Sequence, residues 1–187
     1  IFNWGSKTGI DLPDEENGLV PSPQWKKQAR GEDWFIGDTY HTSIGQGDVL
    51  ATPLQVAASI SPIANGGTYF TPHVVSKIQD TVLNWAQRTL PFSSDIYNVI
   101  KDGMRMAVTS GSSQYLKTLP FDMAGKTGTA QTTAVDNHAW FVGFAPYDNP
   151  RLVILVMIEK GGKSTEAVYV TRDILQKYNE AQPLSTH

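Results

Sequence analysis

The chain has 187 residues, 40% of them hydrophobic and 18% charged, with a formal net charge of -3. That length suits one domain of the usual ~100–200 residues, the apolar share is enough for a core, and the low net charge argues against a disordered chain. Fifteen basic against eighteen acidic residues give nucleic-acid binding no global support, and the absence of cysteine excludes disulfides, thiolate metal sites and cysteine nucleophiles.

The chain opens on Ile1-Phe2-Asn3-Trp4, with no start signal and no cationic-plus-apolar leader. We expect it to begin inside a larger gene product, with any targeting segment upstream. The longest apolar run, Leu152 to Ile158, is far shorter than the ~20 residues of a membrane-spanning helix and reads as a buried strand.

Residues 1 to about 50 are dense in glycine and proline, which predicts a turn-rich region pinned to a core by Trp25, Trp34 and Phe35. Lys26, Lys27 and Arg30 beside Trp25 read as a solvated turn rather than a basic-aromatic patch. Thr52-Pro53-Leu54-Gln55 is a helix start: a hydroxyl at the N-cap, proline at the first helical position and Gln three residues after the cap. Asn65-Gly66-Gly67 ends that helix, and Pro62 inside it predicts a kink or an early end.

Tyr69 to Ile78 reads as extended. Ser93 or Ser94 caps a second helix, with Ile96, Val99, Ile100, Met104 and Ala107 as its buried stripe, and Ser110-Gly111 stops it. Three strands follow at about 122–131, 138–146 and 151–159, the last two as an antiparallel hairpin. A final helix over about 164–178 puts Ala167, Val170, Ile174 and Tyr178 on one face, and residues 181–187 are expected to be a disordered tail. Three strands bracketed by amphipathic helices give an α+β arrangement.

The most specific local signal is Ala124-Gly125-Lys126-Thr127-Gly128-Thr129-Ala130 within a strand. A phosphate-binding loop is excluded, because Pro120 stands where it needs glycine and the segment leads into a strand, not a helix. Glycine inside a strand marks a close approach of another backbone. Gly128 between two threonines lets an extended peptide add as a strand, with Lys126 as a cation beside the groove. Thr127 and Thr129 share a face and carry hydroxyls suited to a terminal carboxylate. The competing reading is a glycine bulge with a solvent-exposed lysine. A second Lys7-Thr8-Gly9 runs into a turn and is assigned no chemistry.

Gly125-Lys126-Thr127-Gly128-Thr129-Ala130, followed by His138-Ala139-Trp140-Phe141-Val142-Gly143-Phe144-Ala145-Pro146, resembles the third motif and following strand of the penicillin-binding proteins. Thr8-Gly9-Ile10-Asp11-Leu12-Pro13, Gly37-Asp38-Thr39, Ser43-Ile44-Gly45-Gln46-Gly47 and Thr52-Pro53-Leu54-Gln55 resemble the same family in the same order. The likeness covers about residues 4–178 and is strongest to the class B penicillin-binding protein 2 branch, the elongation transpeptidases.

The resemblance implies a penicillin-binding protein/β-lactamase-like fold, an antiparallel sheet with helices on both faces, with residues 1–180 as the carboxyl-terminal portion of a transpeptidase domain. No serine is followed by lysine three residues on, and no serine by asparagine two residues on. In the family those motifs precede the region seen here, so the fold is expected to be incomplete and the chain inactive alone. The implied activity is serine-type D-Ala-D-Ala transpeptidation through an acyl-serine that β-lactams also form. The resemblance implies that Lys126 supplies positive potential for the substrate carboxylate and the proton relay, that Thr127 and Thr129 bond that carboxylate, and that Gly128 leaves room for it. It also implies that the backbone N–H of Thr129 is one oxyanion donor, a role typically worth ~3 kcal/mol, the other belonging to the serine absent from this chain.

The implied partners are a peptidoglycan stem peptide, β-lactam antibiotics and a glycosyltransferase or elongation machinery. The implied location is the extracytoplasmic (periplasmic) face of a bacterial inner membrane, with the anchor outside this chain. No cofactor is implied, and His41, His73, His138 and His187 are too scattered for a metal site. Ser112 and Ser113 lack a nucleophile elbow and read as a loop at the floor of the cleft. His138 beside Asp136 reads as a strand-end polar contact, Gly45-Gln46-Gly47 as a turn behind the cleft, and Trp140, Phe141 and Phe144 as core. Two alternatives stay open: a non-catalytic peptidoglycan or β-lactam sensor module, and a β-lactamase-related hydrolase. Without its upstream half, the sheet and second helix are expected to expose apolar surface, making the chain marginally soluble or dimeric, or held by that missing half.

Overall fold

A computed structural model describes residues 1–132 and 136–184. Three strands, β5 (Ala124–Ala130), β6 (His138–Ala145) and β7 (Leu152–Ile158), pair antiparallel in that order. The register sets Lys126 opposite Val142, Gly128 opposite Trp140 and Phe141 opposite Val156. Side-chain alternation then divides the sheet into two faces. Ala139, Phe141, Ala145 and Val156 are buried against α5 (Ser164–Ala181). Phe144 and Ala124 are buried with Ala64 of α3 (Pro53–Asn65) and Met104 of α4 (Ser94–Thr109). The expected antiparallel sheet with helices on both faces is the fold observed.

α3 starts as its sequence dictates. The Gln55 N–H donates to the Thr52 hydroxyl at 3.1 Å, and the Thr52 N–H donates to Gln55 Oε1 at 2.9 Å. The fully buried Gln55 amide also donates to the carbonyls of Asn3, Ser6 and Asn17, so one side chain ties the helix to three points of the turn-rich region. Pro62 does not end the helix, which runs on to Asn65 and closes on left-handed Gly66. The Pro62 carbonyl instead accepts the Gly67 N–H at 2.7 Å, satisfying the last turn.

The two predicted stripes hold in part: Met104 of α4 and Ala167 of α5 are buried as expected and Tyr178 packs against the core, but other members are not. The buried face of α4 is Tyr97, Met104 and Val108, whereas Ile96, Val99 and Ile100 are exposed. The buried face of α5 is Ala167, Val168, Thr171 and Leu175, whereas Val170 and Ile174 are exposed. In both helices an amphipathic residue takes a core place because its apolar body can be buried. Thr171 satisfies its hydroxyl locally, donating to the Ala167 carbonyl at 2.7 Å.

The first fifty residues contain two short helices that turn counting does not reveal, α1 (Pro23–Arg30) and α2 (Ile36–Ser43). Lys26 on α1 is buried rather than solvated, and its ammonium lies 2.8 Å from the Asp38 carboxylate on α2. Between α3 and α4 lie two small antiparallel pairs, β1 (Thr68–Phe70) with β4 (Gln87–Thr89) and β2 (Lys77–Ile78) with β3 (Thr81–Val82). The carboxyl end also differs from the expected tail. α5 continues to Ala181, and Leu184 is buried in the core with its N–H donated to Asn179 Oδ1. Residues 185–187 lie outside the described residues.

Candidate active site

β5 is an edge strand, and no strand pairs with its outer side among the described residues. Which of its backbone groups face outward follows from two bonds. The Thr127 carbonyl accepts from Lys126 Nζ at 2.7 Å, and the Thr129 carbonyl accepts from Gln46 Nε2 at 3.2 Å. In an antiparallel ladder the N–H and C=O of one residue point to the same side, and alternate residues point to opposite sides. Thr127 and Thr129 therefore present both of their peptide groups to the free edge, while Lys126 and Gly128 bond inward to β6.

The four predicted residues occupy distinct positions along that edge. Lys126 is exposed, and its ammonium folds over the strand margin to the Thr127 carbonyl. Thr127 is buried and its hydroxyl lies 2.8 Å from Ser112 Oγ. Gly128 is half-buried, and a Cβ there would lie 3.3 Å from the Trp140 Cβ. Thr129 is exposed. The arrangement is a cation, two outward peptide N–H groups and two hydroxyls along one strand margin, a donor set suited to an extended chain that ends in a carboxylate.

Two residues outside the predicted set join this margin. Ser112 arrives from the turn after α4, where the Ser113 N–H donates to the Ala107 carbonyl at 2.8 Å and a Cβ on Gly111 would lie 2.8 Å from the Ala107 Cα. Gln46 arrives from the loop after α2. The sequence reading puts Ser112 in a loop at the floor of the cleft and Gln46 in a turn behind it, and assigns neither a role on the strand. Flanking glycines signal a tight turn, but no local pattern signals a partner 83 residues away.

The remaining candidates are accounted for structurally. His138 Nδ1 accepts the Lys160 N–H at 3.1 Å, the strand-end polar contact expected of it. Thr8, from the first Lys-Thr-Gly, is buried and donates its N–H and hydroxyl to Glu15. Asp11 accepts the N–H groups of Val74 and Val75 at 2.8 and 2.9 Å, linking the turn-rich region to the loop after β1. Phe141 and Phe144 are fully buried, and Trp140 is half-buried. An open cavity of about 450 Å³, lined by residues that include Thr118, Leu119, Arg172 and Gln176, shares no residue with the β5 edge. His187 lies outside the described residues.

The loop bearing Gln46 rests on the ion-paired helices. The hydrogen bond from Lys26 holds the Asp38 carboxyl below the usual carboxylate range, helped by the Phe35 N–H, and the same bond raises the Lys26 ammonium. Glu32 adds a second carboxylate at 3.5 Å from Lys26 Nζ. Arg30 of α1 pairs with Asp48 just beyond Gly47. No helix among the described residues is long and apolar enough to cross a membrane.

Residues 1–177 match the family described as the penicillin binding protein transpeptidase domain. The peptidoglycan D,D-transpeptidase MrdA of Acinetobacter baumannii is 34% identical over 194 residues, covering 92% of this chain and 29% of that protein. Among solved structures, the PBP2 of Helicobacter pylori in its complex with MreC superposes with a TM-score of 0.85 at 32% identity, covering 97% of this chain and 34% of the other. The PBP2 of Pseudomonas aeruginosa in complex with WCK 5153 superposes with a TM-score of 0.83 at 31% identity, covering all of this chain and 42% of the other. The chain thus spans about a third of the length of the curated relatives it matches. It belongs to the penicillin-binding protein transpeptidase-domain family, in the PBP2 branch.

Proposed function

We propose that this chain forms the carboxyl-terminal part of the catalytic domain of a peptidoglycan D,D-transpeptidase and carries the peptide-gripping half of its active site. The observation that carries the reading is the outer margin of β5, where Lys126, Thr127 and Thr129 line the side that no strand pairs with among the described residues. An acyl-D-alanyl-D-alanine end lies along that margin as an added strand, its terminal carboxylate bonded by the Thr127 and Thr129 hydroxyls in the field of Lys126. A serine outside this chain attacks the penultimate D-alanyl carbonyl, and the oxygen that becomes negative is held by the Thr129 N–H. As the serine ester forms, the bond to the terminal D-alanine breaks and its nitrogen takes the proton. An amine of a neighbouring strand then displaces the serine and closes the cross-link.

The whole protein, on this reading, acts outside the cytoplasm with glycosyltransferase and elongation-machinery partners. The PBP2 of Helicobacter pylori in complex with MreC supports a partner of that kind. A β-lactam acylates the same serine. The test is labelled-penicillin binding by the full-length protein and by residues 1–187 in parallel. The full-length protein takes one covalent label, and the shorter chain takes none. A folded full-length protein that takes no label overturns the reading, and a stoichiometric label on the shorter chain overturns the division of the site.

A further inference from the structure

Gln46 Nε2 donates to the Thr129 carbonyl from a loop whose geometry is closely held. The N–H groups of Ile44 and Gln46 return to the His41 carbonyl at 3.2 and 2.9 Å, and that of Gly45 to the Thr42 carbonyl at 3.0 Å. Gly45 and Gly47, on either side of Gln46, have φ of 70° and 69°, a left-handed backbone that favours glycine. A Cβ on Gly47 would lie 3.1 Å from the His41 Cβ, so the turn closes directly on α2. The Arg30–Asp48 pair braces the loop against α1, and the Lys26–Asp38 pair braces α2, from which the loop leaves, against the same helix. Gln46 is therefore presented to β5 from a fixed base, which lowers the entropy lost in making a single long-range bond.

The acceptor is on the margin that the proposed function uses. The Thr129 carbonyl and N–H face the same outer side, and an edge strand lacks the second ladder that would hold them there. A carbonyl oxygen has two lone pairs, so the bond from Gln46 leaves one for a peptide N–H lying in the groove. We infer that Gln46 is a positioning residue for acyl transfer: by holding the Thr129 carbonyl it keeps the outward peptide groups of Thr129 aimed at the acyl-donor peptide. This inference rests on the transpeptidase reading. It requires a donor at position 46, because a carboxylate there would set negative oxygen against negative oxygen.

The experiment follows labelled-penicillin acylation of the full-length protein as wild type, Gln46→Glu, Gln46→Lys and Gln46→Ala. The non-covalent dissociation constant, the first-order acylation constant and the melting temperature are read separately. Gln46→Glu lowers the acylation constant about 10-fold while the dissociation constant stays within about twofold. Gln46→Lys, which keeps a donor, recovers most of the rate. A purely structural role lowers the melting temperature and the active fraction but leaves the acylation constant of the reacting molecules unchanged. Equal constants in wild type and Gln46→Glu overturn the inference and leave the enzyme reading intact. A folded wild type that is not acylated overturns the reading and this inference with it. Should Gln46→Glu not fold, Gln46→Ala makes the same comparison, with the same two outcomes deciding.

Discussion

The hydroxyls of Ser112 and Thr127, fifteen residues apart, lie 2.8 Å from each other at the margin of β5. Ser112 is exposed and Thr127 is buried, so the serine is the solvent-side partner of the pair. A threonine hydroxyl has one proton and two lone pairs, and the bond to Ser112 holds it against free rotation.

Thr127→Val therefore tests the carboxylate-binding role with little change in packing. Water replaces Thr127 as the partner of Ser112, and the variant loses no more than about 1 kcal/mol of stability. Acylation of the full-length protein by labelled penicillin falls about 10-fold or more, because a hydrogen bond to a charged acceptor is lost. Ser112→Ala keeps the threonine hydroxyl and shows a much smaller loss. Acylation of Thr127→Val at the wild-type rate removes Thr127 from the site.

The Lys26–Asp38 pair makes stability depend on pH in a stated direction. Asp38 titrates below its ordinary range in the folded chain, held down first by the Lys26 hydrogen bond and then by the Phe35 N–H. Its contribution is present above the unfolded value of about 3.9 and is lost as pH falls through the folded value. Lys26 titrates above its ordinary range, so its contribution is complete below the unfolded value of about 10.4 and is lost as pH rises through the folded one. Asp38→Asn lowers the melting temperature at neutral pH and loses less than the wild type on acidification to ~pH 3. Parallel acid dependence in the two proteins excludes the pair as a stabilising contact.

Gly125 and Gly143 face each other across β5 and β6, and the Phe141 ring lies over both. A Cβ on Gly125 would stand 2.3 Å from the Phe141 Cζ and 3.0 Å from the Val142 carbonyl oxygen. Phe141 is fully buried and has nowhere to move. Gly125→Ala destabilises by about 1–3 kcal/mol, the usual cost of overpacking, read as a fall in melting temperature. Gly37→Ala in α2, where a Cβ meets nothing within 4 Å, is neutral or stabilising by up to about 1 kcal/mol. Equal melting temperatures for the two variants rule out a packing role for Gly125.

Much of the architecture was legible because its signals are local. Thr52, Pro53 and Gln55 announce a helix start through groups within one turn of one another, and the structure forms that reciprocal cap. The three strands and their order follow from apolar runs and the turn over residues 146–150. The stripes of α4 and α5 were harder. Met104 and Ala167 lie where the expected stripes put them, but Tyr97 and Thr171, about 100° round the helix from Ile96 and Val170, hold core places that an apolar count does not assign them.

The burial of Lys26 was not legible at all, since a lysine beside a tryptophan looks the same whether or not Asp38 and Glu32 fold onto it. The amino-acid sequence by itself determined the family, the strand that carries Lys126, Thr127 and Thr129, and the missing nucleophile motifs, because each is written in contiguous residues. Only the tertiary structure decided that this strand has a free margin, that Ser112 orients Thr127 and that Gln46 holds Thr129. Those contacts join residues 15 and 83 positions apart, and their geometry exists only once the helices have packed on both faces of the sheet.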